Sequence, residues 1–305
     1  MLVLAAVLGG TCLWADGRLR ETAAPAGYPG RPAAGRGTNW LIVGSGTRSD
    51  LSGKEREELH VGGGGQHNTD TVMVLHHGDA GPYVVSIPRD SYVPVPGHGR
   101  GKINSAYAPG GPKLLSRTVE QAAGLRLDHY AEIDFLGFTH VVDALDGARF
   151  CLAKPLRDTK AGANLRAGCQ TLDGKQALAF VRARYSDPEG DLGRVKRQRT
   201  LLSALVREGA GATTVLNPFR LYPFLGAALD AVTVDRGSGV TSLTRMAWEV
   251  RGLTGGAGGT ATVPVKNAGL SVPGVGDVVA WDTRRARELF HQLRRDVPIT
   301  ATTVK

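Results

Sequence analysis

Two short apolar runs, Val72-Met-Val-Leu75 and Tyr83-Val-Val-Ser-Ile87, stand close together in the chain, and each reads as a buried β-strand. What stands at their ends constrains the fold most. Thr69-Asp70-Thr71 leads into the first, and Pro88-Arg89-Asp90 leaves the second. A charged Arg-Asp pair at the C-terminal edge of a buried strand occupies the place where open α/β sheets put their ligand crevices. Taken singly, an acid or a base there is readily explained by a structural salt bridge. The pair of them on adjacent strands argues for a site.

A second polar cluster follows near the middle of the chain: Phe180-Val-Arg-Ala-Arg-Tyr185, then Gly190-Asp-Leu-Gly-Arg194, then Arg197-Gln198-Arg199. Arginine presents a planar fork of donors that stays charged at any biological pH, and converging forks match the oxygens of a phosphate or diphosphate. If residues 191 to 209 are helical, Arg194, Arg197 and Gln198 share one face, beside an apolar stripe of Leu192, Val195, Leu202 and Leu205. The competing reading is a solvated basic face.

The coarse pattern predicts one α/β domain, a three-layer α/β/α sandwich around a mixed sheet. Strands are expected near 39 to 44, 72 to 76, 83 to 87, 147 to 153, 260 to 265 and 276 to 281. Helices are expected near 112 to 124, 134 to 145, 217 to 230, 240 to 252 and 282 to 294, with another opening at Leu172-Asp173-Gly174 and running toward Arg182. Gly62 to Gly65 make no Walker loop, because no Gly-Lys-Ser/Thr follows. Gly44-Ser-Gly46 lacks the third glycine of a dinucleotide turn, where Ser49 stands. His76 and His77 are neighbours in a strand, point to opposite faces and cannot share a metal, so both read as structural. No Ser-His-Asp arrangement or cysteine nucleophile is evident.

In this order the motifs resemble the LytR-CpsA-Psr family of cell-wall ligases, of the actinobacterial type, over about residues 38 to 210: strand, Gly-rich turn, Thr-Asp-Thr, two strands, Pro-Arg-Asp, Lys102-Ile-Asn104, Val-Arg-x-Arg, Gly-Asp-x-x-Arg and Arg-Gln. The resemblance implies a membrane-anchored, outward-facing phosphotransferase. Such an enzyme moves a glycopolymer from a polyprenyl diphosphate carrier onto a peptidoglycan acceptor, with Mg²⁺ helping to hold the diphosphate. Carried onto this sequence, Arg89, Arg182, Arg184, Arg194 and Lys102 clamp the diphosphate, and Gln198 adds a neutral donor. Arg48, Asn104 and Arg197 fall among the substrate-binding positions, and Asp70 is the magnesium ligand. Asp90 either orients Arg89 or helps deprotonate the acceptor hydroxyl.

One departure stands out. After the first strand the family has Gly-Ser-Asp-x-Arg, whereas this chain has Gly44-Ser45-Gly46-Thr47-Arg48, so a carboxylate expected beside Asp70 is missing; Asn68 also replaces a common arginine. Fewer carboxylates weaken attraction for a hard dication. Asp50 substituting, the substrate's phosphates sufficing, and binding without turnover all remain open.

The flanks bear on compartment. Leu2 to Ala15 are almost uninterrupted apolar residues, too few to span a bilayer core that needs about 20, and read as the back half of an anchor over 1 to 15 rather than a signal-peptide core. Residues 16 to 38, rich in Ala, Pro and Gly, read as a tether, residues 39 to 210 as the catalytic core, and 211 to 305 as helices and strands completing the same domain. Cys151 and Cys169 bracket the polar stretch Leu156 to Ala167, which has little to pack, and form a natural disulfide in an exported protein; two buried free thiols are the alternative. A net charge of +9 suits anionic lipid, cell-wall polymer or nucleic acid. Scattered rather than striped arginines and the apolar N-terminus disfavour a nucleic-acid regulator. A non-catalytic binder of carrier lipid or wall polymer is the other alternative.

Overall fold

All three strands expected first in the chain form; the first two extend beyond their apolar runs because the neighbouring strand continues the ladder, and the third keeps the expected bounds. The computed structural model describes residues 2–46, 69–183, 197, 200, 201, 204, 205, 207–254 and 258–300. Its strands begin with β1 (Arg20–Thr22), β2 (Thr38–Ser45), β3 (Thr69–His77), β4 (Tyr83–Ile87), β5 (Tyr92–Val95) and β6 (Gly99–Lys102). Next come β7 (His129–Asp134), β8 (Ala148–Leu152), β9 (Leu156–Asp158), β10 (Ala163–Leu165) and β11 (Gly168–Leu172). The last are β12 (Val232–Asp235), β13 (Gly259–Thr262), β14 (Val265–Val272) and β15 (Gly276–Trp281). Among them run α1 (Leu2–Asp16), α2 (Tyr107–Ala123), α3 (Phe135–Ala144), α4 (Gly174–Arg182), α5 (Ala212–Val215), α6 (Pro218–Ala231), α7 (Val240–Thr254) and α8 (Thr283–Arg295).

The chain divides into two compact units interleaved along the sequence. One comprises Met1–Arg20, Thr47–Gly65 and Ile133–Val232, the other Glu21–Gly46, Gln66–Glu132 and Thr233–Lys305. The second carries most of a seven-stranded sheet in the order β1-β12-β7-β2-β3-β4-β13. β2, β3 and β4 are antiparallel while β13 joins β4 in parallel, so the sheet is mixed, as the α/β class predicts. Alternate residues Leu41, Val43, Val72, Val74, Val85 and Ile87 share one core with Leu115 and Val119 of α2 and Leu289, Phe290 and Leu293 of α8. Each such side chain, fully buried, contributes about 1.5–3 kcal/mol. Trp40, Met73 and Leu75 are buried as well, so the sheet is covered on both faces.

The helix expected from 112 reaches back to Tyr107 through a kink at Gly111, whose φ of 57° only glycine adopts without strain. Residues 24–36 do not hang free as a tether would. Ala24 is buried in the core, Arg31 bonds the buried Glu120 and the Leu127 carbonyl, and the Arg36 N–H donates to Arg294 O. A buried carboxylate on α2 needs a cation, and this segment supplies it.

In the first unit, Val142, Phe150, Leu172, Leu178, Phe180 and Leu201 form a separate core. α4 starts on a capping box, with Asp173 accepting from Gln176 N and the Gln176 side chain accepting from Asp173 N. Gly174 is obligatory there, because a Cβ would meet Thr139 O at 2.4 Å. Cys151 and Cys169 sit directly opposite on β8 and β11 and form the expected disulfide. The stretch they bracket does pack, contrary to expectation: it forms the β9–β10 hairpin, whose Ala161, Ala163 and Leu156 meet Ala179 and Ala183. Small residues on both sides permit a close approach that a scale of side-chain hydrophobicity does not register. The described residues between 197 and 209 are helical and bury Leu201 and Ala204, and Leu205 of the expected stripe packs beside them. Leu192, Val195 and Leu202 themselves lie outside the described residues.

Candidate functional site

In the second unit, strand direction brings three polar segments to one sheet edge. β2 ends at Ser45, β3 begins at Thr69 and β4 ends at Ile87, and the antiparallel pairs Ser45↔Thr69 and Val72↔Ile87 put all three ends together. Three adjacent strands span about 10 Å. The register slips between Gly44 and Ser45, whose partners are Thr71 and Thr69, so Asp70 stands at a bulge. Bulges re-aim a strand residue and recur beside sites. Ser45 Oγ and Thr69 Oγ1 are buried here and have no hydrogen-bond partner among the described residues. A buried orphan hydroxyl is costly and needs a ligand, water or ion to account for it. Two of them beside an aspartate in the chain are oxygen donors of the kind a hard dication takes, so the residues present fit magnesium.

Beyond β4 the chain is fixed from several directions. Ser91 N donates to Pro88 O, Val279 N to Asp90 O, Ile103 N to Ser91 O and Asn104 N to Arg89 O. Ser91 Oγ accepts from Trp281 Nε1 at 2.7 Å. On this frame the Asp90 carboxylate meets Lys102 Nζ at 3.1 Å and Arg89 Nε at 3.6 Å, with all three side chains partly exposed. Two cations converge on one acid. The Lys102-Ile-Asn104 motif enters a 3-10 turn, Ile103–Ala106, followed by Tyr107. Tyr107 and Tyr130 both donate to the buried Glu132 at 2.6 Å. Burial, followed by the Glu132 charge, pushes both phenols well above the usual range, so they remain donors. Trp281, Ser45, Thr69, Tyr107 and Glu132 escaped the sequence reading. Ser45 and Thr69 lie within motifs already noticed; the others carry no local signal.

The first unit holds the other half of the expected residues. Arg182 is half-buried at the last turn of α4, and Ala183 leaves the helix in an extended conformation. Arg197 Nη2 donates to the Ala183 carbonyl, which ties the following helix to the end of α4. That bond assigns Arg197 at least a bracing part. Arg48, Arg184, Arg194 and Gln198 lie outside the described residues, as does the side chain of Asp70. The two adjacent histidines prove structural. His76 is fully buried and bonds Asn39 Oδ1 at 2.8 Å and Asp296 at 3.3 Å, whereas His77 pairs with Glu249. Among the described residues no group of three or more His, Cys, Asp or Glu is placed to hold a metal.

Comparison with known proteins agrees with this architecture. The LytR_cpsA_psr family model matches residues 26–294. The chain is 46% identical over 285 residues to the probable cell wall biosynthesis protein LcpB of Corynebacterium glutamicum, covering 92% of this chain and 66% of the relative. It is 33% identical over 297 residues to the cell wall biosynthesis protein LcpA of the same organism, covering 85% of this chain and 56% of LcpA. The chain thus spans roughly two thirds or less of these relatives. The solved LytR-Csp2A-Psr enzyme from Actinomyces oris superposes with a TM-score of 0.67 at 20% identity, covering 91% of this chain and 97% of that one. A family match over most of the chain, together with a relative this similar, places the protein in the LytR-CpsA-Psr family.

Proposed function

We propose that this protein is a phosphotransferase that moves a glycopolymer from a polyprenyl diphosphate carrier onto peptidoglycan, outside the cell membrane. The observation that carries the reading is the convergence of Arg89, Asp90 and Lys102 on the sheet edge where Asp70 stands. Its family membership and the cell-wall relatives support it. The paired cysteines favour an oxidising compartment, and the apolar α1 favours a membrane anchor; no described helix is long and apolar enough to cross a membrane by itself.

Phosphoryl transfer needs positioning and charge neutralisation more than covalent help. Arg89 and Lys102 bind diphosphate oxygens, held by the Asp90 carboxylate and by the backbone bonds to Ser91 and Val279. Arg182, with Arg184 and Arg194, supplies the forks that stabilise charge on the leaving group. Asp70 with the Ser45 and Thr69 hydroxyls would hold magnesium, which when bound neutralises the diphosphate. Gly46 removes a carboxylate from this set and favours a second reading, a binder of lipid-linked polymer with weak turnover.

Magnesium-dependent release of phosphate from a polyprenyl diphosphate separates the two. Turnover that is lost in Asp70→Ala supports the enzyme, and tight binding without turnover supports the binder. Gly46→Asp should lower the magnesium needed for half-maximal activity and raise turnover. A folded Gly46→Asp protein that changes neither sinks the carboxylate argument.

A further inference from the structure

The first unit exposes an apolar cluster that the proposed reaction does not use. Leu216 is 80% exposed and Phe219 88%, the first just before α6 and the second in its first turn, with Val215 at the end of α5 beside them. Exposed side chains of this size gathered in one place mark an interaction surface. Their position relative to α1 identifies the partner. Tyr222 OH bonds Thr11 Oγ1 at 3.1 Å, and its ring meets Trp14 edge-on at 6.0 Å. Farther along both segments, Arg18 pairs with Asp230 through two bonds and lies 5.4 Å over the Trp14 ring. From the first contact to the last, α1 and its extension advance seven residues and α6 eight, so the two run side by side in the same direction.

Following α6 backward from Tyr222, Phe219 stands about one turn, ~5 Å, nearer the apolar end of α1, and Leu216 precedes the helix across the extended Asn217. The aromatic pair Trp14 and Tyr222 then sits between the apolar end and the Arg18–Asp230 ion pair, the order found across a membrane interface. Leu13, 77% exposed, lies on the apolar side of that boundary. Arg220 leaves this face and pairs with Asp146.

We propose that Val215, Leu216 and Phe219 form a membrane foot, inserting into the outer leaflet beside α1 and fixing the orientation of this unit on the bilayer. Two contacts instead of one restrict rotation of the unit about its anchor and hold α4, which ends in Arg182, at a constant attitude to the membrane that carries the lipid-linked substrate. The foot rests on the reading of α1 as part of an anchor, and the test separates the two.

Two single-label proteins are reconstituted into phosphatidylcholine–phosphatidylglycerol vesicles containing a lipid with a quencher on its acyl chain. One carries an environment-sensitive fluorophore on native Cys12, which is free and exposed, and the other on Phe219→Cys in a Cys12→Ser background. Both emissions should shift to the blue and be quenched by the acyl-chain quencher. A quenched Cys12 label with an unshifted 219 label overturns the foot and leaves the anchor standing. A quenched 219 label with an unshifted Cys12 label removes the anchor and with it the foot as a second contact beside α1, and no change at either site overturns both. A blue shift at 219 without vesicles that grows with protein concentration assigns the face to a second copy of the chain and overturns the membrane foot.

Discussion

The two units hold their expected residues in different ways. At the sheet edge, Arg89, Asp90 and Asn104 sit in a segment whose backbone is bonded to β15 and to the 3-10 turn, so their positions follow from the sheet. In the other unit, Arg182 rides on the last turn of a nine-residue helix, and Arg197 Nη2 donates to the Ala183 carbonyl just beyond it. Catalysis by charge stabilisation rewards donors fixed in advance. The backbone bonds around Arg89 lead us to expect a donor held at constant geometry at the sheet edge.

The largest effect should come from breaking the fastening of the first unit alone. Reducing Cys151–Cys169, which closes a loop of 18 residues, should cost about 3 kcal/mol. Hydrogen exchange should show lost protection in α4 and β11 while β3 and β4 keep theirs. Equal loss in both units would show that the two are not energetically distinct.

Next come the arginines themselves. Arg89→Ala and Arg182→Ala should each weaken binding of a polyprenyl diphosphate by about 1.5–3 kcal/mol without unfolding the protein. Lysine should rescue less at Arg89 than at Arg182, because a fixed backbone cannot move a point charge to where the fork reached. Calorimetric titration of the four variants decides this. Equal rescue removes the proposed difference in rigidity, and unchanged binding in both alanine variants leaves the arginines as a solvated surface.

A smaller effect should follow from Trp281→Phe. It removes the donor to the fully buried Ser91 Oγ and should cost about 1–2 kcal/mol in chemical unfolding. Diphosphate affinity should fall in this variant and stay unchanged in Arg182→Ala combined with it beyond the sum of the two losses. A strong departure from additivity would mean that the sheet-edge lock and the α4 side act as one element.

The smallest effect concerns pH. Burial, the dominant cause, lowers the pKa of His76 despite its Asp296 partner, so the folded protein resists protonating it. A base with a depressed folded pKa contributes its full stability above the unfolded value of about 6.5 and loses it as pH falls through that value toward the folded one. The urea midpoint should therefore drop between about pH 7.5 and about pH 5.5, by less than about 1.4 kcal/mol per pH unit, and His76→Gln should flatten that slope. An identical slope in both proteins would remove His76 as the titrating group.

Much of the site was legible because its residues lie in short local motifs. Pro88-Arg89-Asp90 and Lys102-Ile-Asn104 were visible as segments at element ends, and the capping signal at Asp173 marked the start of α4. The β14 strand went unread because its residues are mostly exposed and carry no alternation, and β7 because it mixes charged and apolar residues on a half-covered face. The β9–β10 hairpin was misjudged because alanine packing depends on what lies opposite.

By itself the sequence determined the α/β class, the main strands and helices and the identity of the charged groups, since each follows from periodicity, turn chemistry or residue type within a few neighbours. Only the tertiary structure decided that Asp90 lies between Arg89 and Lys102, that Ser45 and Thr69 are paired in register with hydroxyls that have no partner among the described residues, that Trp281 reaches back to Ser91, and that α6 runs beside α1. Those facts depend on strand register and helix direction. Both are set by the summed burial of many side chains far apart in the chain, which no local segment encodes.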